Sequence, residues 1–148
     1  MLLLLAASAL LSAPGFGRAG ERHYIIVFGA QSHPKLPRFT HTFATIIKVS
    51  DCPPGCTIPP IEAQTISWLP QTLVVHSFRC QDEPGVNLDL PATLNWAADN
   101  RMRVSQWGPY ALEGEFYYRL EDQFRRISSG AYRYKAVDVL YRGTLTTD

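Results

Sequence analysis

The sequence predicts an α+β domain, a mainly antiparallel sheet of about four to five strands laid down first and covered by one or two helices. Three observations carry this. The first half alternates β-branched and aromatic residues between Pro-rich loops, the pattern of strands joined in a meander. The connections between those strands are too short for parallel crossovers. The second half then changes to apolar residues spaced three and four apart, which is helical spacing.

The chain begins with an apolar run, Met1 to Ala13, that ends at Pro14-Gly15. A bilayer span needs about 20 apolar residues, so this run is too short to be one. It has the form of the apolar core of a secretory signal. Gly17 and Ala19 put small residues where a signal peptidase reads, so residues 1–19 are expected to be a signal peptide cleaved after Ala19. No Lys or Arg precedes the run, so either the α-amino group or a start upstream of Met1 supplies the positive end. Residues 20–148 then form a single globular domain of about 129 residues, an ordinary domain size. Its expected location is periplasmic or extracellular, and no later stretch is long enough to span a membrane.

Fourteen Lys and Arg stand against 13 Asp and Glu. The leader carries Arg18, so the charges of the remainder balance. A neutral domain has no field to gather nucleic acid or an anionic membrane, and neither partner is expected.

His23-Tyr-Ile-Ile-Val-Phe-Gly29 is apolar on both faces, as an interior strand is. A loop with two prolines spans residues 31–38. Residues 39–49 form a second strand, with Phe39, His41, Phe43, Thr45, Ile47 and Val49 on one face. The segment from Ser50 to Pro60 is a loop holding Cys52-Pro-Pro-Gly-Cys56. Glu62 to Trp68 reads as a strand ending at Leu69-Pro70, and Leu73 to Phe78 as another. Asp89 caps a helix from Leu90 to about Asn100, with Pro91 in its first turn and Leu94, Ala97 and Ala98 facing inward. Trp107-Gly-Pro-Tyr110 reads as a turn. Residues 111–129 form the clearest helix, with Leu112, Phe116, Leu120, Phe124 and Ile127 as its apolar stripe and Gly130 ending it. Glu115/Arg119, Glu121/Arg125 and Asp122/Arg126 set acid four residues before base, the favourable order. Residues 131–141 read as a last strand.

Among three cysteines, Cys52, Cys56 and Cys80, the first two can close a small disulfide loop in an oxidising compartment. Alternatively they form half of a metal site, which needs His33, His41 or Cys80 to converge on them. The disulfide is the expected outcome, and no metal is assigned. No cofactor is expected either, because the chain has no phosphate loop, no His-Glu-x-x-His, no Gly-x-Ser-x-Gly and no nucleotide fingerprint.

His41 is the candidate for chemistry. It alternates with Phe39 and Phe43, so its ring points to the apolar side of a strand, either as a core histidine held by a hydrogen bond or as a general base. His23, His33 and His76 read as structural or exposed. Trp68, Trp96 and Trp107 read as core or cover, and Asp82-Glu83 and Glu121-Asp122 as surface charge.

Six phrases, His23 to Gly29, His41-Thr-Phe-Ala-Thr45, Thr65-Ile-Ser-Trp-Leu-Pro70, Pro84 to Leu90, Trp107-Gly-Pro-Tyr110 and Tyr134-Lys-Ala-Val-Asp138, resemble uncharacterised exported proteins of the planctomycete kind. That resemblance spans most of residues 20–148 and implies no activity of its own. The order of His41, the helix at 111–129 and the segment Tyr132 to Asp138 is more distantly similar to the circularly permuted papain-like proteins. These include NlpC-like hydrolases and lecithin–retinol acyltransferase. The likeness implies thiolate attack on an amide or ester with His41 as base. The family's late Asn-Cys-x-His motif is absent from these residues, since no cysteine follows Cys80. The chain is therefore expected to be C-terminally truncated or inactive as an enzyme. The resulting expectation is an exported globular domain with a binding or structural role in the cell envelope; the alternative is a thiol hydrolase or acyl-transfer enzyme lacking its nucleophile.

Overall fold

A strand that is apolar on both sides has to lie inside a sheet with both faces covered, and that requirement organises the chain. The computed structural model describes residues 20–34, 36, 40–76 and 81–136. The expected leader, Phe39, Phe78, Cys80 and the last part of the expected final strand lie outside the described residues. β1 (Glu21–Gln31) pairs antiparallel with β2 (Thr40–Ser50) on one side and with β6 (Arg103–Leu112) on the other. β3 (Ile61–Ile66) adds to β2, which gives the order β3-β2-β1-β6.

Residues directly opposite one another in the ladder share a face. Ile26, Phe28 and Ala30 therefore lie with Thr45, Phe43 and His41 on a first face. His23, Ile25, Val27, Gly29 and Gln31 lie with Lys48, Ile46, Ala44, Thr42 and Thr40 on a second. The helix α1 (Leu90–Asp99) closes the first face, where Trp96 and Ala97 join Phe28, Ala30, Phe43, Leu69 and Met102 in the core. The helix α2 (Gly114–Ser128) closes one end of the second face, where Tyr117 stacks on His23 with ring centroids 4.3 Å apart. The molecule is α+β with mainly antiparallel sheets.

The caps and spacings hold, but the buried faces shift. Asp89 caps α1 as expected, its carboxylate accepting from the Ala92 N–H at 2.8 Å. The inward residues are Thr93, Trp96 and Ala97, whereas Leu94 is 37% exposed and Ala98 faces water. Thr93 can be buried because its hydroxyl donates to the Asp89 carbonyl at 2.7 Å, which removes the cost of an unpaired polar group. α2 starts at Gly114 rather than at residue 111, since Leu112 is still paired with His23 in β6. Its inner face is anchored by Tyr117 and Ile127, and Phe116 is 58% exposed. The large amphipathic Tyr117 lies one position on from Phe116, and the sheet takes the ring that can stack on His23.

Further corrections concern the strands. The expected strand from Glu62 to Trp68 breaks at Ser67. Beyond it β4 (Trp68–Pro70) joins β5 (Glu83–Asn87) and β7 (Arg133–Tyr134) in a second sheet, ordered β4-β5-β7. The Ser67 N–H donates to the Asn87 side chain at 2.7 Å and its carbonyl accepts from the Leu88 N–H. The backbone at this point is therefore bonded to the β5 segment and not to β2. The expected strand from Leu73 opens as a turn: Leu73 has φ of 58° and its N–H donates to the Pro70 carbonyl. No residue from Leu73 to His76 is in a strand, and His76 is exposed. Glu83, read as surface charge, is only 8% exposed in β5 and accepts from the Thr72 hydroxyl. Trp107 to Tyr110, read as a turn, lies inside β6.

Cys52 and Cys56 are joined in a disulfide with a Cα–Cα separation of 5.6 Å, within the ordinary range for such a bond. No helix among the described residues is long and apolar enough to cross a membrane.

Tyr117 is 1% exposed and is the ring that fastens α2 to the sheet. Tyr117→Ala is expected to lower the unfolding free energy by about 3–4 kcal/mol, as an emptied aromatic site does. Urea denaturation followed by far-UV circular dichroism would read it, and a loss under about 1 kcal/mol would contradict this role.

Candidate functional site

Two places bring polar groups together, and the sheet separates them. The first is interior. His41 lies on the α1 face, where its ring stacks on Phe43 at 5.6 Å and meets the edge of Trp96 at 5.5 Å. Its Nε2 is 3.0 Å from the hydroxyl of Ser67, a residue with no exposed surface. Asn87 continues the chain of bonds, accepting from the Ser67 N–H and donating to the Thr65 carbonyl at 2.9 Å. Thr65 in turn shares a hydrogen bond of 2.9 Å with Thr45. Burial pushes the His41 imidazole down from 6.5 to about 4, so it is neutral at neutral pH.

This network ties β2, the Ser67 crossover and β5 into one body. The sequence pattern singles out His41 but not Ser67, Asn87 or the threonine pair. A lone serine between two apolar strand runs is the available signal. Among the described residues no thiol approaches His41. Cys52 and Cys56 lie beyond the far end of β2, about 30 Å along the strand, and are bonded to each other. Cys80 is outside the described residues. His33 is exposed and His23 is buried. No group of three or more His, Cys, Asp and Glu gathers among the described residues in a form that could hold a metal.

Next to this network lies a cavity of about 360 Å³ between β3, the start of α1 and the end of α2. Ala63, Leu90, Pro91 and Phe124 give it an apolar lining. Four of its polar members are already hydrogen-bonded, Thr45 with Thr65, Asn87 with Ser67 and Thr65, and Asp89 with Ala92, whereas the buried Gln64 Oε1 has no hydrogen-bond partner among the described residues.

The second place is on the other face of the sheet, at the end α2 leaves uncovered. A cavity of about 440 Å³ is lined there by Gln31, Thr40, Thr42, Arg103, Ser105 and Trp107 over a floor at Gly29. The His41 backbone borders it, while its ring lies on the opposite face, opposite Ala30 in the ladder. Trp107 is 51% exposed and Tyr110 is 53% exposed.

Residues three apart in a regular strand point to opposite faces. Here Val27 pairs with Trp107 and Ile25 pairs with Tyr110, so Gly108 and Pro109 together oppose Ile26 alone. This two-against-one bulge turns both aromatic rings to the same face, about 7 Å apart along the sheet. Gly108 makes the bulge possible: its φ is +103°, and a Cβ there would stand 2.8 Å from the Ile25 carbonyl oxygen. Gly29 has a matching role, since a Cβ on it would meet the Trp107 ring at 3.2 Å. The Cζ3–Cη2 edge of the indole therefore meets bare backbone, and the ring stays half exposed.

Arg103 makes no ion pair with a described residue, and it is the one charged side chain lining the cavity among the described residues. The covered end of the same face holds a separate polar group. There Tyr118 donates to Glu21 at 2.6 Å, Glu21 lies 3.6 Å from His23 Nε2, and Lys48 pairs with Glu62 at 2.9 Å. α2 roofs this cluster. His23 Nε2 has no hydrogen-bond partner among the described residues.

No family model, no curated protein and no solved structure matches the chain.

The lowered pKa of His41 carries a definite sign. The fold favours the neutral ring, while the unfolded chain takes up the proton near 6.5. The stabilisation is complete above 6.5 and is lost as pH falls towards about 4. The loss is expected to reach at most roughly 3 kcal/mol, less what water screens at the half-buried ring. Unfolding free energies measured at several pH values for the native chain and His41→Gln would read it. Equal slopes in the two proteins between pH 6.5 and about 4 would remove His41 as the source.

Proposed function

We propose that this chain is an exported globular domain with a binding role in the cell envelope, its ligand held on the uncovered half of the sheet beside β6. One observation carries the reading: the Gly108–Pro109 bulge turns Trp107 and Tyr110 to the same open face. Each ring stays about half exposed. A buried aromatic is explained by packing, but two neighbouring exposed ones form an apolar patch that function has to explain. Bulges are enriched where a strand must re-aim a side chain at a site. The cavity beside them sets one aromatic side chain, Trp107, among mostly polar ones, Gln31, Thr40, Thr42, Arg103 and Ser105, a lining that supports a polar ligand with donors and acceptors of its own.

Support for export comes from the apolar leader and from the Cys52–Cys56 disulfide, a bond that persists in oxidising compartments. Sequencing the N-terminus of the protein recovered from its producing cell is expected to give Gly20 as the first residue. Recovery of Met1 at the terminus, with the protein in the cytosol, would overturn the export reading.

The binding reading is tested by cosedimentation with the insoluble envelope polymer of the same cell. The native protein is expected to be retained, and the double variant Trp107→Ala/Tyr110→Ala to lose at least about tenfold in affinity, the scale of an aromatic anchor. A urea midpoint close to native would confirm that the double variant is folded. Undiminished retention of a folded double variant would overturn the assignment of this face.

A further inference from the structure

We infer that the ligand of this face is an acidic saccharide, a chain of pyranose rings bearing carboxylates; this rests on the binding reading above. The chemistry of the lining selects it. Trp107 brings the Cζ3–Cη2 edge of its ring up to Gly29 and stays 51% exposed. A flat, half-exposed indole presents a rigid apolar platform, and the C–H face of a pyranose is a flat apolar surface of matching size. Tyr110, about 7 Å further along the same face, offers a second platform.

A sugar ring stacked this way turns its hydroxyls outward to the rim. The rim holds groups that both give and accept hydrogen bonds: the Gln31 amide and the hydroxyls of Thr42 and Ser105. None of these three side chains has a partner among the described residues. In the first cavity, by contrast, Thr45, Thr65, Asn87 and Asp89 are already hydrogen-bonded within the protein.

Charge supplies the acid. Arg103 faces Gln31 across the β1–β6 ladder, at the far end of the cavity from Tyr110. No carboxylate among the described residues lines the cavity with it. An unopposed guanidinium is a two-pronged donor suited to a carboxylate. Among the described residues the cavity is lined by one cation, fewer than the groove of positive charge that tracks a nucleic-acid backbone. Hydroxyls, flat apolar rings and a carboxylate at one end describe a uronic-acid oligosaccharide.

The test is calorimetric titration of the full chain with trigalacturonic acid, with its methyl ester, and with a short single-stranded oligonucleotide. Native protein is expected to bind the acid. Trp107→Ala should abolish that binding. Arg103→Gln, an exposed substitution that leaves the core untouched, should weaken the acid about tenfold and leave the ester unchanged. Equal affinity for acid and ester in native protein would overturn the acidic class while leaving the face as a binding site. Binding of the oligonucleotide but neither saccharide would overturn the inference in the same way. If no saccharide binds, while the envelope polymer is still retained through Trp107 and Tyr110, the inference fails and the binding reading stands. If retention is also independent of those rings, both fail.

Discussion

β1 hydrogen-bonds to β2 on one side and to β6 on the other, so each of its side chains must be accommodated on one of two faces. That alternation sets most of the remaining architecture. Phe28 and Ala30 require α1 above them, and the core that forms there includes Trp96 and Ala97. His23 requires a partner on the opposite side, and Tyr117 of α2 supplies it. With α1 on one side and α2 on the other, one face is closed along much of its length and the other only at one end. The uncovered end lies where Gly29 and Gln31 meet Ser105 and Arg103.

Two polar devices divide the work between the faces. On the covered side, the bonds from His41 through Ser67 and Asn87 to Thr65 satisfy groups that would otherwise be buried without partners. They also hold the chain where it leaves one sheet for the other. A neutral imidazole suits that position, because no carboxylate among the described residues pairs with the ring in the apolar surroundings of Phe43 and Trp96. On the open side, Gln31, Thr42, Ser105 and Arg103 are left towards water. The same strands thus carry a closed network and an available one, back to back.

The bulge in β6 is a local feature with a wide effect. One extra residue in the strand reverses the facing of everything beyond it. Without it, Tyr110 would point to the opposite face from Trp107. It also allows Leu112 to reach the position opposite His23, where α2 begins. The exposed aromatic pair and the start of the roofing helix therefore depend on one irregularity, which rests on a glycine with positive φ.

Much of this is legible from residue pattern alone: the interior strand, the alternation that puts His41 with Phe43, the Asp89 cap, the amphipathic helix and the Cys52–Cys56 bond all derive from local chemistry. Periodicity, capping and loop length act over a few residues, so a linear reading can see them. The sequence also holds the Trp-Gly-Pro-Tyr string, but as a string it reads as a turn. Only pairing with β1 makes it a bulge, because a bulge is defined by the partner strand's register. The same holds for Ser67, whose role depends on the distant Asn87, and for Glu83, whose burial depends on a second sheet. Sequence determined which segments are strands and helices in most of the chain, and which residues are apolar. Tertiary structure decided which face each side chain meets, since that depends on register and cover between segments distant in the chain.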